Sequence, residues 1–199
     1  AATFIFLLLF AGLLAMLMRM ELIAPGQTVM GPNTYNTVMS LHGIIMVAVA
    51  VATIIGGFAN FVLPILIGAN DVAFPRINAL SFWVLPPVVI LLLLTPLFGG
   101  FDTGWTAYPP LSVTNATGTL LFLLAFITFG ISSILGGLNF IATVITLRAP
   151  GMTWGRLPIF VWGIFSAAMI SLTATSFVAV GLIMVVLDRV AGTTFFNAA

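Results

Sequence analysis

His42 is the only histidine among 199 residues, and residues 22–70 around it carry no other acidic or basic side chain. An imidazole in apolar surroundings is costly and marks a functional site by default. It could ligate a metal, relay a proton or bond a neighbouring helix. Met39 and Met46 lie three residues before and four after it, on one helical face. Their thioethers suit a flat apolar macrocycle, and they suit plain packing equally well. A second group of residues is uncharged but polar. Ser132, Gly136, Asn139, Thr143 and Thr146 follow 4-3-4-3 spacing, which stays on one face of a helix. Asn60 and Asn78 lie near the same membrane side. Such groups glue helices together at on the order of 1 kcal/mol per contact. They could also hold a file of water for protons, which needs hydroxyls and amides but no fixed charge. Asp71 stands at the mouth of that file or is a solvated loop acid. Trp105 and Tyr108, beside Pro109-Pro110, have the types of a membrane-interface belt. Arg19 has that of a snorkelling arginine.

The elements that position these groups follow from composition. Hydrophobic residues make up 62% of the chain and charged residues 5%, with a mean hydropathy of +1.31. A soluble domain carries about 25% charged residues, so this chain belongs in a bilayer. Long runs without Asp, Glu, Lys or Arg, of 18 to 49 residues, match or exceed the roughly 20 residues that one helical span needs. They predict an all-α, polytopic transmembrane bundle with helices over 1–19, 36–67, 78–99, 117–147 and 157–187. The runs are continuously apolar rather than alternating, which excludes a β-barrel. Ala24-Pro25-Gly26, Gly31-Pro32-Asn33, Gly99-Gly100, Pro109-Pro110 and Ala149-Pro150-Gly151 punctuate them.

Five spans put alternate loops on opposite sides. Asp71, Arg76, Arg148 and Arg156 share one side with net charge +2, and Arg19, Glu21, Asp102, Asp188 and Arg189 share the other with net charge −1. The more positive side is expected to be cytoplasmic or its organellar equivalent. The chain starts inside an apolar run without Met or a targeting segment and stops just after the fifth helix. It therefore reads as part of a longer polypeptide.

Several chemistries are excluded. Cysteine is absent, which removes disulfides and thiolate sites. A haem with two histidine ligands needs a second histidine, and copper or non-haem iron needs several more. Phosphate-binding loops and metalloprotease motifs are missing. A net charge of +1 gives nucleic acid no electrostatic foothold.

Words along the whole chain resemble a known family. They are Leu41-His42-Gly43-Ile44-Ile45-Met46, Ile55-Gly56-Gly57-Phe58-Ala59-Asn60-Phe61, and Ile67 through Asn78 with its Asn70-Asp71-Val72-Ala73-Phe74-Pro75-Arg76 core. Thr103-Gly104-Trp105-Thr106-Ala107-Tyr108-Pro109-Pro110-Leu111 and Ser132-Ser133-Ile134-Leu135-Gly136-Gly137-Leu138-Asn139-Phe140 follow. Arg148-Ala149-Pro150-Gly151-Met152-Thr153-Trp154, Asp188-Arg189 and Thr193-Thr194-Phe195-Phe196 complete the series. In this order they resemble subunit I of the haem–copper oxygen reductases, the cytochrome c oxidase branch in particular. The match covers helices I–V of a twelve-helix subunit and stops before the helix where copper ligands begin.

The resemblance implies roles. His42 matches an axial ligand of a low-spin haem, haem A in that branch, with Met39 and Met46 as its neighbours. Arg19 matches the arginine on that haem's formyl group, and Tyr35 and Trp105 match groups near its propionates. Glu21 and Gly26 match part of a peripheral calcium or sodium site. Asp71 matches the entrance acid of the D-channel for proton uptake, and Asn60, Asn78, Ser132, Ser133 and Asn139 match its lining. The high-spin haem and copper B are expected outside this segment. The implied partners are the remainder of subunit I, subunits II and III, cytochrome c and the bilayer. The implied location is a bacterial or archaeal plasma membrane or a mitochondrial inner membrane.

The chain departs from the family at three places. Asn70 replaces a proline, the stretch from His42 to Gly56-Gly57 is one residue short and lacks a proline, and Gly155 replaces a bulkier residue. Quinol oxidases share most of the words but carry a charged pair in helix I and His and Gln before the haem ligand. Here residues 1–18 are uncharged and Thr34 and Thr37 stand at those two positions, which favours cytochrome c as donor. Nitric oxide reductases lack the Asp71 pattern. A non-catalytic membrane bundle would explain the composition and the lone histidine, but not the ordered words.

Overall fold

The structure, a computed structural model, describes residues 2–114 and 116–196 without the side chains at 2–4, 49 and 52. Position 1 of the expected first helix lies outside the described residues. Five long helices carry the fold, and no strand occurs among the described residues. They are α1 (Ala2–Glu21), α2 (Pro32–Ile67), α3 (Pro75–Phe98), α4 (Thr117–Thr146) and α5 (Ile159–Val190). Helices α2 to α5 are long and apolar enough to cross a membrane. The chain is an integral, multi-pass membrane protein. At 1.5 Å per residue the 20 residues of α1 span about 30 Å, and they are apolar up to Arg19.

Helix bounds differ from the expected ones where local chemistry decides. Pro32 and Pro75 open α2 and α3 ahead of 36 and 78, because proline at a first helical turn loses no hydrogen bond. Gly68 takes the left-handed conformation (φ +74°) that ends α2. Helix α5 runs past 187 to Val190. Its last turn is tied down: Arg189 donates to the carbonyls of Ser112, Val113 and Ala116. The Asp188 carboxylate accepts from the backbone of Phe195 and Phe196.

Helix α2 is not uniform. Residues Ile45–Ala50 form a π-helical turn. In a regular α-helix His42 and Asn60, 18 residues apart, would sit five whole turns apart on one face. The wider π turn rotates the second half against the first. His42 consequently faces α1, and Asn60 faces α3 and α4.

Two apolar cores hold the bundle. The larger joins Leu7, Ala11 and Leu14 of α1 to Leu41, Ile44 and Ile45 of α2, Val88 and Leu92 of α3, and Phe122 and Leu123 of α4. Phe101 stacks on Phe122 with ring centroids 4.5 Å apart. The smaller joins Leu63 and Ile67 to Val144, Leu157 and Val161. At that second end Ala149 N donates to Ile67 O at 2.9 Å. The loops after α2 and α4, which carry Asp71, Arg148 and Arg156, and the first turn of α3 with Arg76 therefore share one end of the bundle.

Candidate haem ligand and polar cavity

The His42 ring is placed by two elements. Its Nδ1 lies 2.9 Å from the carbonyl oxygen of Ala11 on α1. A carbonyl only accepts, so Nδ1 carries the proton and donates. The lone pair is then on Nε2. A metal-binding imidazole is oriented in this manner, its other ring nitrogen hydrogen-bonded to a fixed acceptor. The residues present therefore fit a haem ligated through Nε2. Gly43 follows, and a Cβ there would lie 3.6 Å from Trp105 Cδ1. The loop carrying Trp105 is fixed to α2 by Gly104 N donating to Ser40 Oγ at 3.1 Å. His42 and Trp105 are thus held at one end by α1 and by that loop. Met46 packs on the larger core, while Met39 is exposed, so the two methionines have different surroundings. Arg19 is exposed, about 12 Å further along α1 than Ala11.

Glu21, Gly26 and Tyr35 line one cavity of about 520 Å³ at the same end. The Glu21 carboxylate accepts from the backbone N–H groups of Thr28, Val29 and Met30 and from the Thr28 hydroxyl. The Met30 N–H, then those of Val29 and Thr28, hold its carboxyl below the usual carboxylate value. The geometry makes Glu21 the clasp of the loop after α1.

The polar residues gather in a second cavity, of about 380 Å³, between α2, α3 and α4. Asn60, Asn78, Ser132 and Ser133 all line it, together with Thr53 and Ser81. At ~30 Å³ per molecule it has room for about a dozen waters. Ser132 is occupied, since its hydroxyl donates to Ser81 O at 2.6 Å. Asn60 Nδ2 donates to Gly56 O at 2.8 Å, and Asn60 Oδ1 is buried with no partner.

Asn139 and Asp71 do not line this cavity. Asn139, fully buried, accepts from Phe74 N through Oδ1. Thr143 accepts from Ala73 N. Both pin the loop that carries Asp71, which is itself exposed at the bundle end with Oδ1 accepting from Val72 N. Asn139 Nδ2 is a second buried polar atom without a partner. Ser81 and Thr53 were not singled out from sequence. Ser81 was findable, three residues after Asn78 on the same face, whereas Thr53 stands alone in an apolar run.

The whole chain, residues 1–199, matches the family model for cytochrome c and quinol oxidase polypeptide I. The chain belongs to that family. It is 45% identical over 196 residues to the cytochrome c oxidase subunit 1 of Thermostichus vulcanus, covering 98% of this chain and 35% of that protein. It is 39% identical over 187 residues to the same subunit of Synechocystis, covering 94% and 34%. For that of Bacillus subtilis the figures are 41% over 194 residues, 96% and 31%. The chain thus spans about a third of the length of these oxidase relatives.

Proposed function

We propose that this chain is the five-span part of subunit I in a respiratory oxidase that reduces oxygen to water with electrons from cytochrome c. In this reading it supplies one axial ligand to a low-spin haem of the A type and the uptake path for protons. The observation that carries the proposal is the Nδ1 bond of His42 to Ala11 O. It fixes the tautomer that leaves Nε2 free for iron. A haem bound there would supply one-electron transfer. Trp105 and Tyr35, both near the same end, are the groups proposed for its polar edge, and Arg19 for its formyl group.

The polar cavity supports the second half. Asp71 gathers protons at the more positive end, and the wall residues Asn60, Asn78 and Ser133 hold water without trapping charge. Asn139 contributes by fixing the Asp71 loop. Subunits II and III, cytochrome c and the remainder of subunit I complete the assembly in this reading. The test of the haem half is His42→Leu in the complete enzyme. The low-spin absorption band and electron delivery to the oxygen site should both disappear. A normal low-spin spectrum with normal turnover would make His42 a structural residue.

A further inference from the structure

Most hydroxyls on these helices bond back to their own chain. Thr128, Thr146, Thr173 and Ser176 each donate to a carbonyl four residues earlier, the usual resting place of a helical Ser or Thr. Ser132 crosses to Ser81 O on α3, and three other hydroxyls near the middle of α4 and α5 bond to one another. Ser133 Oγ lies 2.9 Å from Ser171 Oγ, and Ser171 Oγ lies 3.3 Å from Thr175 Oγ1. They form one chain across the α4–α5 interface. Gly130 permits the approach, since a Cβ there would come within 3.2 Å of Thr175 Cγ2.

The direction of this chain follows from what lies at its ends. Thr175 Oγ1 has no hydrogen-bond partner other than Ser171 among the described residues. Thr175 is half-buried beside a small, mostly apolar cavity, where an O–H left without an acceptor is costly. The arrangement that pairs the Thr175 and Ser171 protons has Thr175 donating to Ser171 and Ser171 donating to Ser133. The Ser133 O–H is then free, and Ser133 lines the polar cavity. Elsewhere on that cavity's wall stands Asn60 Oδ1, buried and without a partner. Its amide orientation is fixed, because the Nδ2 group is committed to the Gly56 carbonyl. One wall position therefore offers a donor and another an acceptor.

We infer that Ser171, backed by Thr175, is a positioning residue that turns the Ser133 hydroxyl into the cavity as a donor and so polarises the water file there. Ser132 does not share this role, because its proton is committed to Ser81 O. The inference rests on the reading of the cavity as a proton path. Without Ser171 the Ser133 hydroxyl falls back on a carbonyl of its own helix, and the water loses its fixed donor.

The test uses the complete oxidase in vesicles. Proton uptake during a single turnover is followed with a pH-sensitive dye, and the haem absorption spectrum serves as the folding control. Ser171→Ala should slow uptake about fivefold, equivalent to about 1 kcal/mol for one neutral hydrogen bond. Ser171→Thr, which keeps the hydroxyl, should restore the rate. Unchanged uptake in Ser171→Ala overturns the inference, and so does equal slowing by Ala and Thr, which would mark a packing effect. Should Ser171→Ala fail to assemble, Thr175→Val decides: it removes the next hydroxyl at equal volume, and slowed uptake supports the inference while normal uptake overturns it. Asp71→Asn run in parallel separates the two readings. Normal pumping in that variant removes the proton path itself. Slowed pumping there with normal Ser171→Ala uptake keeps the path and reduces the hydroxyl chain to helix glue.

Discussion

A single carboxylate, Glu21, organises the ten residues that follow α1. Three successive backbone N–H groups converge on it, those of Thr28, Val29 and Met30, and they hold its carboxyl below the usual value. A group whose folded pKa is depressed stabilises above its unfolded pKa, about 4.3 for Glu. That contribution is lost as pH falls through the folded value. Protection of the Thr28, Val29 and Met30 amides against exchange, relative to their intrinsic rates, should therefore be high above about pH 4.3 and fall as Glu21 protonates. Glu21→Gln should exchange fast at neutral pH and lose the pH dependence, measurable by hydrogen–deuterium exchange with mass spectrometry on the complete protein. Asp71 has a different office. In the proposed path Asp71→Asn keeps the haem spectrum and loses proton delivery, so oxygen consumption should fall by about tenfold, or about 1.4 kcal/mol of barrier, and pumping should stop. Respiration and external acidification in vesicles check both. A wild-type ratio of protons to electrons in Asp71→Asn would return it to the status of a loop acid. At this scale much was legible. Asn60, Asn78, Ser132 and Ser133, grouped by the resemblance, line one cavity. Of the evenly spaced stripe on α4, only Ser132 and Gly136 reach it, whereas Asn139 and Thr143 hold the Asp71 loop. The difference between Ser132 and Ser133 was not legible, because it depends on which neighbouring helix each hydroxyl meets.

Elements were readable to the extent that charge and proline mark them. Charge-free runs located all five helices, since a polar backbone in lipid must satisfy itself within a helix. The π turn at Ile45–Ala50 was not foreseeable, because its residues are ordinary apolar ones with no Gly or Pro to signal a break. Its effect is large nonetheless, because it separates the face that carries His42 from the face that carries Asn60. Close approaches between elements were likewise hidden. At the start of α4, a Cβ on Gly118 would overlap the carbonyl oxygen of Gly100 and lie 2.7 Å from that of Thr95. Backbone oxygens cannot step aside as a flexible side chain can. Gly118→Ala should therefore destabilise the bundle by about 1–3 kcal/mol, the cost of overpacking a tight site. Gly12→Ala on α1, where an added Cβ meets nothing within 4 Å, should be close to neutral. Thermal unfolding of the complete complex in detergent, followed through loss of haem absorption, compares the two. Equal midpoints would mean that the α3–α4 corner has more slack than its geometry shows.

Across the whole molecule, the helices leave large apolar faces uncovered. Phe61, Phe177 and Ile159 are 72%, 80% and 87% exposed, on a chain that spans about a third of its relatives' length. In the proposed assembly such faces meet lipid or the remainder of subunit I. The same incompleteness governs the cofactor. His42 is the only histidine, so residues 1–199 offer a haem one imidazole and no second one. The apolar wall on the far side of the macrocycle would have to come from helices outside this segment, and without it water reaches the ring. Binding would then rest on one ligand bond against the loss of freedom of the whole porphyrin. Residues 1–199 alone, refolded in detergent with added haem, should bind weakly and show no spectrum of a haem with two histidine ligands. The complete subunit should show it. A reduced-minus-oxidised difference spectrum on both samples makes the comparison. A two-histidine spectrum from residues 1–199 alone would require pairing His42 of two copies, which sedimentation of the haem-bound fraction would reveal as a dimer. A monomer with that spectrum would overturn the assignment of His42 as one half of a site completed elsewhere in subunit I.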